Sequence, residues 1–195
     1  MDITLVNFMN EQLSLVSLDF KRYMYEKLPW EARLVGLMGP RGVGKSTMIL
    51  QRIKEMAEAD QQHTLYISAD HSYFTTHTFV DTADEFVREG GKWLFIDEVH
   101  KYDGWSRELK QIYDSHPELH IFFTGSSVLD ILEGEADLSR RALLFDMQGL
   151  SFREYLELFH GIKTPVRSLE DVLDGNTRIE CILHPIPLFN KYLRE

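Results

Sequence analysis

The chain has 195 residues, 44% of them hydrophobic and 12% aromatic, with a formal net charge of −10. That is enough apolar material for a real core and excludes a disordered chain; the acidic balance argues against a broad basic face, so nucleic acid is not indicated as a partner. One cysteine, Cys181, excludes an internal disulfide framework and a multi-cysteine zinc site, and fits a reducing, cytoplasmic setting.

The opening MDITLVNFMNEQ has neither a basic start nor a continuous apolar run, and no later run reaches the length of a membrane span, so neither secretion nor a membrane is expected. Residues 2–28 read as largely helical, ended by Pro29-Trp30. The expected organisation is an N-terminal helical segment over 1–30, a core over 31–149, and the incomplete start of a helical lid or second domain over 150–195.

Ala32 to Met38 reads as a strand buried on both faces. The loop LMGPRGVGKSTM follows, with Gly39, four residues, then Gly44-Lys45-Ser46, which is the phosphate-loop spacing. Glycines let successive backbone N–H groups turn inward as an anion nest, and the helix that follows adds its positive N-terminal end. The expected nucleotide cradle is therefore Gly39, Pro40, Arg41, Gly42, Val43, Gly44, Lys45, Ser46 and Thr47. Lys45 would reach the β- and γ-phosphates, and the Ser46 hydroxyl would take one Mg²⁺ position. Ile49, Ile53 and Met56 then recur at helical spacing.

TLYISA (64–69), KWLFID (92–97), LHIFFTG (119–125) and RALLFDM (141–147) read as further strands, separated by helical stretches at Asp81 to Arg88 and Trp105 to Tyr113. This alternation implies an α/β fold with a mostly parallel sheet covered on both faces. KWLFIDEVHK ends a strand in Asp97-Glu98, at the edge where parallel sheets bind ligands. Asp97 is suited to hold Mg²⁺ opposite Ser46, and Glu98 to orient or deprotonate the water that attacks the γ-phosphate. The plainer alternative is that the pair ends the strand and caps the next turn.

In IFFTGSS, either Thr124 or Ser126 is placed to bond the attacking water or the γ-phosphate, while Ser127 with Asp130 also reads as a helix cap. Arg140 and Arg141 begin the last strand; one of them could stabilise transition-state charge, in cis or from a neighbouring subunit, or both simply solvate a turn. His71, His77 and His100 lack metal-ligand spacing and read as structural or surface groups. Ser151 and Glu154 form a capping box that opens a new helix, with Leu150 and Tyr155 as a staple.

Together, GPRGVGKST, LFIDEVHKYDGWSRELKQIYD, FTGSS and SRRALLFDMQGLSFREYL resemble the prokaryotic AAA-type ATPases whose phosphate-loop domain precedes a C-terminal domain of unknown function. The resemblance runs from about Arg33 to Leu156. It implies a P-loop three-layer sandwich around a five-stranded sheet, Lys45 and Ser46 as Walker A residues, Asp97 and Glu98 as Walker B residues, and Ser126 or Thr124 as sensor. Adenine over guanine follows from the resemblance alone. The family usually continues through a helical lid and a second domain, so a chain stopping at Glu195 reads as a shortened piece or a short member.

The function expected is Mg²⁺-dependent ATP binding and hydrolysis, with a second copy of the chain or another protein as the source of an arginine. The alternative is a module in which ATP occupancy switches an interaction surface with little hydrolysis. A small-molecule kinase explains the phosphate loop but leaves Asp97-Glu98 without a task.

Overall fold

Runs four to six residues long, mostly apolar and aromatic, build the sheet. A computed structural model of the chain describes residues 1–126, 138, 140–175 and 185–194. In it the runs form β1 (Leu34–Met38), β2 (Thr64–Ser68), β3 (Trp93–Asp97), β4 (His120–Gly125) and β5 (Leu143–Asp146). The order across the sheet is β2-β3-β4-β1-β5, and every neighbouring pair runs parallel. Each residue of β1 and β3 is buried, as strands covered on both faces must be.

Successive side chains of a strand point to opposite faces, so each strand feeds two apolar layers. On one face Val35, Phe95 and Phe122 pack with Ile49, Leu50 and Ile53 of α2 (Lys45–Glu55) and with Phe8, Met9 and Leu13 of α1 (Ile3–Leu15). A short α3 (Glu58–Gln61) leads from α2 into β2. On the other face Ile67, Leu94, Ile96 and Phe123 pack with Phe79, Ala83 and Phe86 of α4 (Phe79–Arg88) and with Trp105, Leu109 and Ile112 of α5 (Trp105–Ser115). The result is a three-layer α/β sandwich. Leu5 of α1 joins the α4 and α5 core while Phe8 and Met9 join the other, so α1 straddles the outer edge of β2.

The N-terminal stretch departs from expectation. Residues 2–28 read as largely helical, yet the helix ends at Leu15 and only a single 3-10 turn, Tyr25–Lys27, follows. The cause lies in α2, whose side chains take the carbonyls that a continuing helix would use. Lys54 Nζ donates to the Val16 carbonyl at 2.7 Å, and Gln51 Nε2 donates to those of Ser17 at 2.9 Å and Phe20 at 2.7 Å. Ser17 Oγ also accepts the Asp19 N–H at 2.9 Å, a local turn that competes with helix. Residues 16–24 therefore run as a strap over α2.

Met1–Gln148 is one compact unit, which includes the first 30 residues, and Gly149–Glu195 is a second. The second unit opens with α6 (Phe152–His160), whose N-terminus carries the expected capping box of Ser151 and Glu154 and whose end is closed by Gly161. Two shorter helices follow, α7 (Leu169–Leu173) and α8 (Pro185–Tyr192). Within this unit Phe152 packs against Phe189 and Tyr192, and the Tyr192 hydroxyl donates to the Leu150 carbonyl at 2.7 Å. The Ser127–Asp130 cap and Cys181 lie outside the described residues. Among the described residues no helix is long and apolar enough to cross a membrane.

Candidate nucleotide site

The loop between β1 and α2 has a shape that its glycines permit. Gly39 is buried at φ 144°, and a Cβ there would stand 2.2 Å from the Met147 carbonyl oxygen. Gly44, at φ 97°, is the N-cap of α2 and leaves the helix without a side-chain cap. The first-turn N–H groups of α2 are thus open to an anion at the helix's positive end. Pro40, Arg41, Gly42 and Thr47 are exposed around this opening, while Val43 and Ser46 are half-buried.

Lys45 is 8% exposed, and its Nζ donates to the carbonyls of Gly39 at 2.7 Å and Pro40 at 2.9 Å. Burial pulls its ammonium below the usual lysine range, and the carboxylates of Asp97 and Glu98 pull it back. The lysine of the loop and the two acids at the end of β3 thus share one electrostatic site, although β4 lies between their strands.

Asp97 is 5% exposed and held from two sides. Its Oδ1 accepts the Thr124 hydroxyl and its Oδ2 accepts the Tyr66 hydroxyl at 2.8 Å. The register explains the meeting: Tyr66 lies opposite Phe95 and Phe95 opposite Phe122, so Tyr66, Asp97 and Thr124 share the face packed by α1 and α2. Burial and the charges of Asp97 and Glu98 push the Tyr66 hydroxyl far above the ordinary tyrosine range, so it stays a donor. Thr124, fully buried, also accepts the Glu98 backbone N–H at 2.9 Å. Glu98 has φ 54° and ψ 42°, the only positive φ of a non-glycine among the described residues. That left-handed turn costs roughly 1–2 kcal/mol and swings the half-buried Glu98 out of line with the strand.

Lys45, Asp97, Glu98 and Thr124 are therefore brought together, with Ser46 beside Lys45 at the start of α2. Ser126 is exposed in the bend beyond β4. Arg140 and Arg141 precede β5, whose residues Leu143 to Asp146 run parallel to Val35 to Met38. The arginines thus sit at the opposite end of the sheet from the loop, roughly 20 Å away at the rise of an extended chain. This removes the in-cis alternative for either arginine. Arg141 is instead paired with Asp114 of α5, its Nε 3.1 Å from Oδ1, and Arg140 is exposed. Two of the three histidines make structural contacts: His71 caps the turn at Ser72 by accepting the Tyr73 N–H, and His77 stacks on Tyr73.

Two contributors were not legible as site residues. Tyr66 is one; a buried tyrosine needs a hydroxyl partner, and its place in TLYIS was the available signal. Arg22 is the other. Its guanidinium donates to the Val43 carbonyl at 2.6 Å and the Gln148 carbonyl at 2.9 Å, tying the strap to the loop before α2 and to the second residue beyond β5.

A family model described as an AAA domain matches residues 31–156. The chain belongs to the AAA domain family. An uncharacterised protein of Methanocaldococcus jannaschii is 32% identical over an alignment 155 residues long that covers 73% of this chain and 32% of that relative. Among solved structures, the Hsp104–ADP complex of S. cerevisiae superposes with a TM-score of 0.54 at 19% identity, over 80% of this chain and 28% of that one. A closed-state reconstruction of Hsp104 with ATPγS and FITC casein gives a TM-score of 0.55 at 19% identity, over 80% and 34%. The likeness to both is one of fold. This AAA domain thus spans about a third of the curated relative and of the Hsp104 chains it matches.

Proposed function

We propose that this AAA domain binds ATP with Mg²⁺ and hydrolyses the γ-phosphate anhydride. The observation that carries the reading is the shared site of Lys45 with Asp97 and Glu98, formed at the ends of strands that are not neighbours. In this reading the Lys45 ammonium exchanges the carbonyls of Gly39 and Pro40 for phosphate oxygens, and the α2 N-terminus supplies backbone donors. The Ser46 hydroxyl and the Asp97 carboxylate are hard oxygen donors that suit Mg²⁺, and each Asp97 oxygen keeps a lone pair beyond its bond to Thr124 or Tyr66. When bound, the metal would offset the charge that develops on the phosphate oxygens.

Glu98, the freer of the two acids, orients the attacking water and accepts its proton. Thr124 rather than Ser126 takes the sensing position, because its hydroxyl links the metal-holding acid to the base. Arg140 or Arg141 would act in trans, on the site of a second copy of the chain or a partner. The single cysteine supports a reducing, cytoplasmic setting.

The test is phosphate release from Mg-ATP by the wild type and by Glu98→Gln, with ATP affinity measured on both. Release by the wild type alone, with affinity kept in the variant, is the expected result; normal turnover in the variant overturns the role of Glu98. The placement of both arginines away from their own loop favours one second reading, in which the chain alone is an ATP-gated switch with little hydrolysis. Steady turnover by dilute monomer would count against that.

A further inference from the structure

Tyr66 sits mid-strand in β2, 2% exposed, with its ring stacked on Phe8 of α1 at a centroid distance of 6.0 Å and its backbone N–H 3.3 Å from Met9 Sδ. Its hydroxyl therefore has a fixed position, and that position is 2.8 Å from Asp97 Oδ2. With Thr124 bonded to the other oxygen, the carboxylate is gripped by one hydroxyl from β2 and one from β4. Rotation of the carboxylate would break one bond or the other. Neither donor carries charge, so the grip orients Asp97 without neutralising it, whereas a lysine or arginine in the same place would compete with a cation.

We propose that Tyr66 is a positioning residue: its hydroxyl, seated by Phe8 and Met9 of the N-terminal helix, pre-orients the Asp97 carboxylate to receive the divalent cation that accompanies the nucleotide. The proposal rests on the reading of Asp97 as a metal-holding acid. A carboxylate held in advance loses little freedom on binding, so Tyr66 acts on cation affinity rather than on the phosphate cradle. Tyr66→Phe keeps the ring, its stacking on Phe8 and the backbone contact to Met9, and removes only the bond to Asp97. The loop, α2 and Lys45 are untouched.

The experiment is an equilibrium titration of the full chain with a fluorescent ATP analogue, in EDTA and across a range of Mg²⁺ concentrations. For the wild type, affinity rises with Mg²⁺ to a midpoint. For Tyr66→Phe, the affinity in EDTA is unchanged while the Mg²⁺ midpoint moves upward by on the order of ten- to a hundredfold, the range seen when a second-sphere partner of a metal ligand is removed. In an Asp97→Asn background the same substitution adds no further shift. A midpoint within twofold of the wild type overturns the proposal and leaves the reading of Asp97 standing. Equal loss of affinity in EDTA and in Mg²⁺ also overturns it, because that is the signature of general damage. A wild type whose affinity ignores Mg²⁺ overturns the reading of Asp97 and the proposal with it.

Discussion

Thr124 Oγ1 accepts the backbone N–H of Glu98 at 2.9 Å while donating its own proton to the Asp97 carboxylate. One hydroxyl therefore fixes both acids, and serine can replace it where valine cannot. Thr124→Val strands the Glu98 N–H and one Asp97 oxygen in a buried setting, at about 1–3 kcal/mol of folding stability. Chemical denaturation should show that loss, with turnover depressed more strongly than ATP affinity, while Thr124→Ser stays near the wild type on both counts.

Gly39 permits the close approach of the loop to the chain after β5. A methyl group at this position meets the Met147 carbonyl at 2.2 Å from a backbone at φ 144°. Gly39→Ala is expected to destabilise the fold by on the order of 3 kcal/mol, combining steric overlap with backbone strain. A urea midpoint unchanged from the wild type would show that the loop relaxes without cost.

Lys45 is held against its own loop at the expense of burial. Desolvation disfavours its charge, so Lys45→Met should melt at the wild-type temperature or above while ATP affinity falls at least a hundredfold, an order expected for a lost charged phosphate contact. A variant that unfolds instead would mean that the bonds to Gly39 and Pro40 hold the loop together.

The pH dependence of the strap follows from Glu55, whose carboxyl is held below the ordinary range by hydrogen bonds from Lys21 and then Tyr25. Because its folded value is depressed, its stabilisation is present above the unfolded value, near 4.5, and is lost as pH falls through the folded value. Glu55→Gln should therefore narrow its deficit relative to wild type as melting is followed from pH 6 down to pH 3. A constant deficit would assign the effect to packing.

The exposed Arg140 and the Asp114-bound Arg141 invite a mixing experiment. Chains lacking both arginines, Arg140→Ala with Arg141→Ala, should bind ATP and fail to turn over. Adding Lys45→Met chains, which have the arginines but a defective loop, should restore activity if an arginine crosses between copies. No restoration at any ratio would leave the two residues as surface groups.

The strands were legible because burial on both faces writes itself into composition, as in TLYIS and WLFID. The tight turn between β1 and α2 was legible because Gly39 and Gly44, both at positive φ, mark it in the sequence. The bond between Tyr66 and Asp97 was not: the two are 31 residues apart and meet only through strand register, which local pattern does not encode. The strap failed for a related reason. Its fate was decided by Gln51 and Lys54 reaching across from α2, and by its own Arg22 reaching out to the Val43 carbonyl, against a local preference that favoured helix. Thr124 and Ser126 are two residues apart, yet the first is buried within β4 and the second is exposed beyond its end, a difference that local pattern does not encode.

The left-handed backbone at Glu98 also bears on how this chain would respond to breeding for heat resistance. Glycine adopts that conformation freely, and asparagine nearly so. A library screened only for soluble protein after heating would thus enrich Gly or Asn at this position and discard the acid assigned to water activation. Survivors would be sturdier and, on this reading, catalytically silent, so any such campaign needs a parallel screen for phosphate release.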